Sequence, residues 1–218
     1  AGVRFWNEHA AALDADAIAV DLSTIDPATS RRIAGRIGQE RFAAVTLGKT
    51  PALAAKGEIP VFAGGEAATL STLDPVLRRM SNAIFDMGSV EGATMFKLIS
   101  NMVGMTNLAL LAEAFLVARR AGIASGVFAE ALKTTGGWSV QADLRLAEMM
   151  AGDFTTRFAT DLAAKDLRLS VDAAARWGVP TPVAAAGLSV FSLARAAGLG
   201  GRDAAAVVAA LGADGTTP

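Results

Sequence analysis

Cysteine is absent from the 218 residues and histidine occurs once, as His9. Without thiols there is no disulfide, thiolate metal site or thiol nucleophile, and one imidazole cannot build a multi-histidine metal site or a histidine-paired catalytic triad. An excess of charge is missing too: 20 Lys and Arg face 21 Asp and Glu, for a formal net charge of -1, and basic residues never run longer than two. Phosphate-backbone binding needs concentrated positive charge, so no nucleic-acid partner is expected. No apolar segment follows a basic start at the N-terminus, which predicts no signal peptide and a cytoplasmic setting. Apolar residues, in contrast, make up 52% of the chain, enough for a sizeable core in one or two domains.

Residues 98–118, LISNMVGMTNLALLAEAFLVA, approach the length of a membrane span and carry one charge, Glu113. Ser100, Asn101, Thr106, Asn107 and Glu113 would be costly against lipid, and no aromatic belt flanks them. The segment therefore reads as a buried helix, and no membrane partner is expected.

The first part of the chain alternates strand and helix. Short apolar runs at 17–22, 42–47, 59–63 and 83–85 predict four strands. A helix over 27–37 lies between the first two, with Asp26 as N-cap and Pro27 at its first position. A second short helix is predicted over 73–80, with Pro75 near its start, and Gly64-Gly65 reads as a glycine pair between a strand and a polar turn. Strands alternating with helices predict an open α/β sheet. After Gly88 the pattern is helical throughout. Ser89 is a candidate cap for a helix from about Val90 to Ala121, closed by Arg119, Arg120 and Gly122. At about 1.5 Å per residue such a helix is on the order of 48 Å long, suited to a spine joining two domains. Further helices are expected over 125–134, 139–151, 158–177, 182–197 and 202–211, punctuated by glycines. The fold class is thus α/β plus all-α: residues 1–88 as part of an α/β domain, and 89–218 as an all-helical domain that begins with the long helix.

Lys97 and Asn101 are four apart on the long helix and so share a face, with Phe96, Leu98 and Ile99 as apolar neighbours. A lysine in such surroundings loses hydration of its charged form, which moves it toward the range useful for proton transfer. On these residues alone, a snorkelling or surface lysine beside a polar core position is the favoured reading.

Five segments taken in order resemble the β-hydroxyacid dehydrogenase family, which includes 3-hydroxyisobutyrate dehydrogenases and glyoxylate/succinic semialdehyde reductases and is related to 6-phosphogluconate dehydrogenase. They are residues 20–27 (VDLSTIDP), 57–65 (GEIPVFAGG), Gly88 to Asn101, Gly136-Gly137-Trp138-Ser139 and residues 162–167 (LAAKDL). The spacing Gly-x-x-x-Gly-x-x-x-x-Lys-x-x-x-Asn is the most specific of these elements. The resemblance implies a Rossmann-like domain followed by a helical substrate and dimerisation domain, NADP or NAD as cofactor, a small carboxylate as substrate, and a homodimer or homotetramer. It also implies the site residues. Lys97 would be the general acid/base, with Asn101 donating to the same substrate oxygen. Ser23 and Thr24 would hold the nicotinamide, Lys165 would lie near the cofactor with Asp166 as its structural partner, and Ser139 would line the substrate end. A turn that caps a helix, a solvated Lys-Asp pair and a simple N-cap are the competing readings of Ser23-Thr24, Lys165-Asp166 and Ser139 respectively.

Two departures qualify the resemblance. Where the family has a Ser-Gly-Gly loop that grips the substrate carboxylate, this chain reads Gly48, Lys49 and Thr50, so substrate contacts there pass to Lys49 or Thr50. No Gly-x-Gly-x-x-Gly cradle for a pyrophosphate is present. We accordingly expect roughly two βα units to precede Ala1 and this chain alone to lack turnover. Two other functions stay open at this stage: a non-catalytic oligomerisation or ligand-binding fragment, and an enzyme of imine-reductase type.

Overall fold

The computed structural model describes residues 2–49 and 51–212, and the chain divides into two compact units, Ala1–Ser100 and Asn101–Pro218. The first unit is built on a four-stranded sheet of order β1 (Ala19–Asp21), β2 (Phe42–Leu47), β3 (Pro60–Gly65) and β4 (Ala83–Asp86). β1 and β2 are parallel, β3 runs antiparallel to β2, and β4 is parallel to β3. The four apolar runs are thus strands as expected, but the sheet is mixed.

β2 is buried on both faces, and its alternation sorts two cores. Phe42 and Ala44 pack with Ile33, Ala34 and Ile37 of α2 (Pro27–Ile37), with Trp6 of α1 (Gly2–His9), and with Val90 and Ala93. Ala43 and Val45 pack on the opposite face with Val61, Ala63 and Leu77. α2 begins as its sequence predicts: the Asp26 carboxylate accepts from the Thr29 amide, and Pro27 occupies the first turn. α1 carried no start signal, yet Trp6 anchors it in the core. A short helix, α3 (Pro51–Ala54), follows β2.

Two expectations are corrected here. The helix read over 73–80 is α4 (Ala67–Met80), with Pro75 in its interior. A helix of four turns packed through Thr69 and Leu77 tolerates the one hydrogen bond that proline removes. Gly64 and Gly65, read as a pair between a strand and a polar turn, are instead the last two residues of β3. A Cβ on Gly64 would stand 2.0 Å from the Ser89 carbonyl oxygen, so glycine is required for β3 to approach the start of the next helix.

That helix, α5 (Val90–Arg120), starts where Ser89 predicts, its hydroxyl accepting from the Gly92 amide. It closes after Arg120, with the Gly122 and Ile123 amides returning to the Arg119 and Ala118 carbonyls. By length and composition it is the one helix among the described residues able to cross a membrane. Its Met105, Leu108, Ala109, Leu111, Ala112 and Phe115 are buried in the core of the second unit.

The second unit adds α6 (Ser125–Lys133), α7 (Val140–Ala151), α8 (Thr160–Arg176), α9 (Pro182–Ala196) and α10 (Val207–Leu211). The single helix expected over 202–211 is instead a 3-10 turn, Ala204–Ala206, leading into α10. Asp203 imposes the break by accepting from the Ala205 amide at the start of that turn.

Between α7 and α8, the Thr155 hydroxyl and amide and the Arg157 guanidinium hold the Asp153 carboxyl down at about 2, against an ordinary value of 3.8. A carboxyl depressed in the folded state stabilises fully above its unfolded value, and that contribution is lost as pH falls from about 4 toward 2. Asp153→Asn should therefore be less stable than wild type at neutral pH, and the difference should shrink as pH falls from about 4 toward 2. Superimposable profiles of stability against pH would contradict this.

Candidate active site

β1 and β2 run parallel, with Asp21 opposite Ala44, so both finish at the same end of the sheet. In an open α/β sheet, ligands bind beyond the carboxyl ends of such strands. At the end of β1 the Asp21 carboxylate is buried, and both of its oxygens are engaged. Oδ1 accepts from the Ser23 amide at 2.8 Å and Oδ2 from the Trp6 indole at 3.1 Å. A buried carboxylate satisfied in this way fixes the Ser23-Thr24 turn. Asp21 and Trp6 are thus positioning residues that the sequence reading passed over. The only available signal was an Asp two residues before a Ser at the end of an apolar strand.

At the end of β2 the Gly48 amide donates to the Pro60 carbonyl at 2.9 Å, and the next residue, Lys49, is exposed with φ +59°. Thr50, the third residue of that loop, lies outside the described residues.

The start of α5 runs along β3. Ser89 and Ala93 lie against Gly64, the Thr46 hydroxyl donates to the Ala93 carbonyl at 3.1 Å, and the Phe96 ring stands 4.5 Å from that of Phe62. Phe62 pairs with Thr46, one residue before the end of β2, so the next position on α5, Lys97, arrives at the sheet end where β1 and β2 finish. The first unit thus gathers Ser23, Thr24, Gly48, Lys49 and half-buried Lys97 at one end of its sheet.

In the second unit, Asn101 donates through Nδ2 to Asp166 Oδ2 at 2.6 Å, and Lys165 Nζ lies 2.9 Å from Asp166 Oδ1. The Asp166 side chain is 3% exposed and that of Lys165 36%. The Lys-Asp pair is therefore half-buried, not solvated, and its carboxylate orients Asn101. This refines the expectation for Asn101: one amide proton is committed to Asp166, which leaves its Oδ1 and one N–H for another partner. Ser139 stands at the N-cap position of α7, but its hydroxyl makes no cap bond. The preceding Trp138 is held by its indole donating to Asp143 at 2.9 Å. Among the described residues, no group of three or more His, Cys, Asp or Glu could hold a metal ion.

Residues 91–211 match the family model described as NAD-binding of NADP-dependent 3-hydroxyisobutyrate dehydrogenase, more than half of the chain. The chain belongs to the 3-hydroxyisobutyrate dehydrogenase-like family of β-hydroxyacid dehydrogenases. Residues 4–88 match a second model, the NAD binding domain of 6-phosphogluconate dehydrogenase. The 3-sulfolactaldehyde reductase of Escherichia coli is 31% identical over 90% of this chain and 67% of its own length. The 2-(hydroxymethyl)glutarate dehydrogenase of Eubacterium barkeri is 29% identical over 90% of this chain and 66% of its own. A 3-hydroxyisobutyrate dehydrogenase structure from Salmonella typhimurium superposes with a TM-score of 0.81 at 30% identity, covering 87% of this chain and 68% of that one. The Mycobacterium tuberculosis 3-hydroxyisobutyrate dehydrogenase shares the fold, with a TM-score of 0.85 at 24% identity over 96% of this chain and 75% of that one. The chain spans about two thirds of the length of these relatives.

Both family models describe NAD-binding domains, so NAD(P) is the cofactor of this family. The residues at the end of β1 suit its nicotinamide end. Two hydroxyls stand on a turn whose charged neighbour, Asp21, is buried with each oxygen accepting a hydrogen bond from the protein.

Proposed function

We propose that this protein transfers hydride between NAD(P) and a small β-hydroxyacid or the corresponding semialdehyde, with Lys97 as general acid/base. The observation that carries this reading is the arrival of Lys97, on α5, at the sheet end that also holds the Ser23-Thr24 turn. The nicotinamide would supply the hydride acceptor or donor, held at Ser23 and Thr24, with Lys165 near the cofactor. In the oxidation direction, Lys97 takes the proton from the substrate hydroxyl; in reduction, its ammonium returns one to the carbonyl oxygen. A cation beside that oxygen stabilises the negative charge that develops there, and the effect is largest where water is excluded. Asn101, one helical turn along α5 and oriented by Asp166, positions the substrate through the polar atoms it has left. Ser139 and the Gly48 to Thr50 loop would line the substrate.

The sulfolactaldehyde and hydroxymethylglutarate named for the two relatives are small acids that carry an aldehyde or a hydroxymethyl group, the chemistry this arrangement suits. In an enzyme of the full length of these relatives, incubation with NAD or NADP and 3-hydroxyisobutyrate, or with a semialdehyde and the reduced cofactor, should change nicotinamide absorbance in proportion to enzyme. No change with any member of a small hydroxyacid and semialdehyde panel would count against the reading.

A further inference from the structure

β2 carries one polar side chain, Thr46, among Phe42, Ala43, Ala44, Val45 and Leu47, and it is fully buried. A buried hydroxyl is costly unless it is hydrogen-bonded, and valine would fill nearly the same space without that cost. Two carbonyl oxygens lie within reach of the Thr46 hydroxyl, that of Phe62 on the neighbouring strand at 3.5 Å and that of Ala93 on α5 at 3.1 Å. One proton serves one acceptor well, and the shorter bond goes to the helix.

Ala93 stands four residues before Lys97. In an α-helix each amide donates to the carbonyl four residues earlier, so the Ala93 carbonyl closes the turn that carries Lys97. The same oxygen thus receives the Lys97 amide from within α5 and the Thr46 hydroxyl from the sheet. Around this bond the turn meets the sheet through apolar and steric contacts, Ala93 against Gly64 and Phe96 against Phe62. Apolar contact is non-directional and lets one surface slide along another. A hydrogen bond has a preferred length and angle, and so fixes both the height of α5 on the sheet and its rotation.

Resting on the hydride-transfer reading above, we propose that Thr46 is a positioning residue for Lys97, its hydroxyl setting where the α5 turn that bears the ammonium stands at the sheet end. Buried beneath α5, Thr46 acts through the Ala93 carbonyl and not on the substrate. Misplacing a reacting group by about 1 Å can lower a rate about a hundredfold. Loss of one bond among several contacts shifts the turn by less, so a fall in kcat of about tenfold is expected.

The test compares variants of the full-length enzyme. Thr46→Val removes the hydroxyl at nearly constant shape and leaves the Ala93 carbonyl to the Lys97 amide, so it should fold and melt almost as wild type does. Thr46→Ser and Thr46→Ala form a second pair that differs only in the hydroxyl. The first readout needs neither cofactor nor turnover: the side-chain carbon signal of Lys97, followed by NMR with isotopically labelled lysine and assigned by its loss in Lys97→Arg. That signal should move in Thr46→Val and Thr46→Ala and keep its wild-type position in Thr46→Ser, with the Lys56 and Lys133 signals unmoved throughout. The second readout is kinetic. Thr46→Val should lower kcat about tenfold, leave KM for the nicotinamide within about twofold of wild type and displace the limb of the pH profile that belongs to Lys97, whereas Thr46→Ser should behave as wild type does. An unmoved Lys97 signal in Thr46→Val, an unchanged kcat, or a loss that is equal in Thr46→Ser would each overturn the proposal. Absence of hydride transfer in wild type would refute the catalytic reading, and the Lys97 signal would still decide whether Thr46 holds that side chain. Turnover that depends on Lys97 but is equal in wild type and Thr46→Val would refute this inference alone.

Discussion

In the full-length enzyme, Lys97→Ala should lower hydride-transfer turnover by roughly a thousandfold while the protein stays folded. General acid-base catalysis by a positioned side chain is worth about a hundredfold to ten-thousandfold, and loss of the ammonium also removes a charge from the developing oxyanion. Lys97 is half-buried, and its neighbours Phe96 and Leu98 make the packing contacts of that turn, so truncation should not unfold α5. Two measurements make the result specific to proton transfer. The alkaline or acidic limb of the wild-type pH profile that belongs to the lysine should vanish in Lys97→Ala, and added primary amines should restore part of the rate. Turnover within a few-fold of wild type would remove Lys97 from the mechanism.

The largest expected effect on stability lies in the second unit, at Asp203. Its carboxylate accepts from the Arg157 and Phe158 amides, both at 2.9 Å, and from the Ala205 amide at 3.0 Å. It also lies 3.4 Å from Arg145 Nε, with the two side chains 1% and 7% exposed. Removing one partner of a buried pair strands the other charge, at a cost of about 3–5 kcal/mol. Asp203→Ala should therefore be destabilised by that amount, a fall in melting temperature on the order of 10 °C. Trp138 and Trp177 are in the second unit and Trp6 in the first, so denaturation followed by fluorescence and circular dichroism reads the damage where it occurs. Arg145→Met should cost less, because the three backbone amides still satisfy the carboxylate. A loss below about 1 kcal/mol in Asp203→Ala would show that water reaches the pair and that the network is not a dry one.

Features with a local chemical cause were legible in the sequence. Asp26 and Pro27 announce the start of α2, Ser89 and Gly122 bracket α5, and the four apolar runs become four strands, because caps and periodicity act within a few residues. Strand direction leaves no such mark, so nothing in residues 60–65 distinguishes the antiparallel β3 from a parallel strand. Gly64 gave no sign of its packing role, because the Ser89 carbonyl that excludes a side chain there is 25 residues further along the chain. Pro75 read as a helix start because proline is commonest there, yet packing of α4 carries the helix through it.

The candidate site divides in the same way. Lys97, Asn101 and the Ser23-Thr24 turn stand out as polar residues in apolar or strand-end settings. The groups that hold them do not: Asn101 and Asp166 meet across 65 residues, and Trp6 reaches Asp21 across 15. The strained backbone of Lys49 is equally invisible, because a lysine after a glycine reads as an ordinary surface loop.

Hydride transfer itself is open to a direct measurement. A hydroxyacid carrying deuterium on its hydroxyl-bearing carbon would be incubated with the full-length enzyme and oxidised NAD or NADP, and the recovered nicotinamide examined by proton NMR. The account predicts deuterium at the reactive ring carbon of the reduced cofactor, on one face, in wild type and at a greatly lowered rate in Lys97→Ala. Substrate oxidised without deuterium reaching the cofactor, or equal transfer in the two proteins, would contradict it.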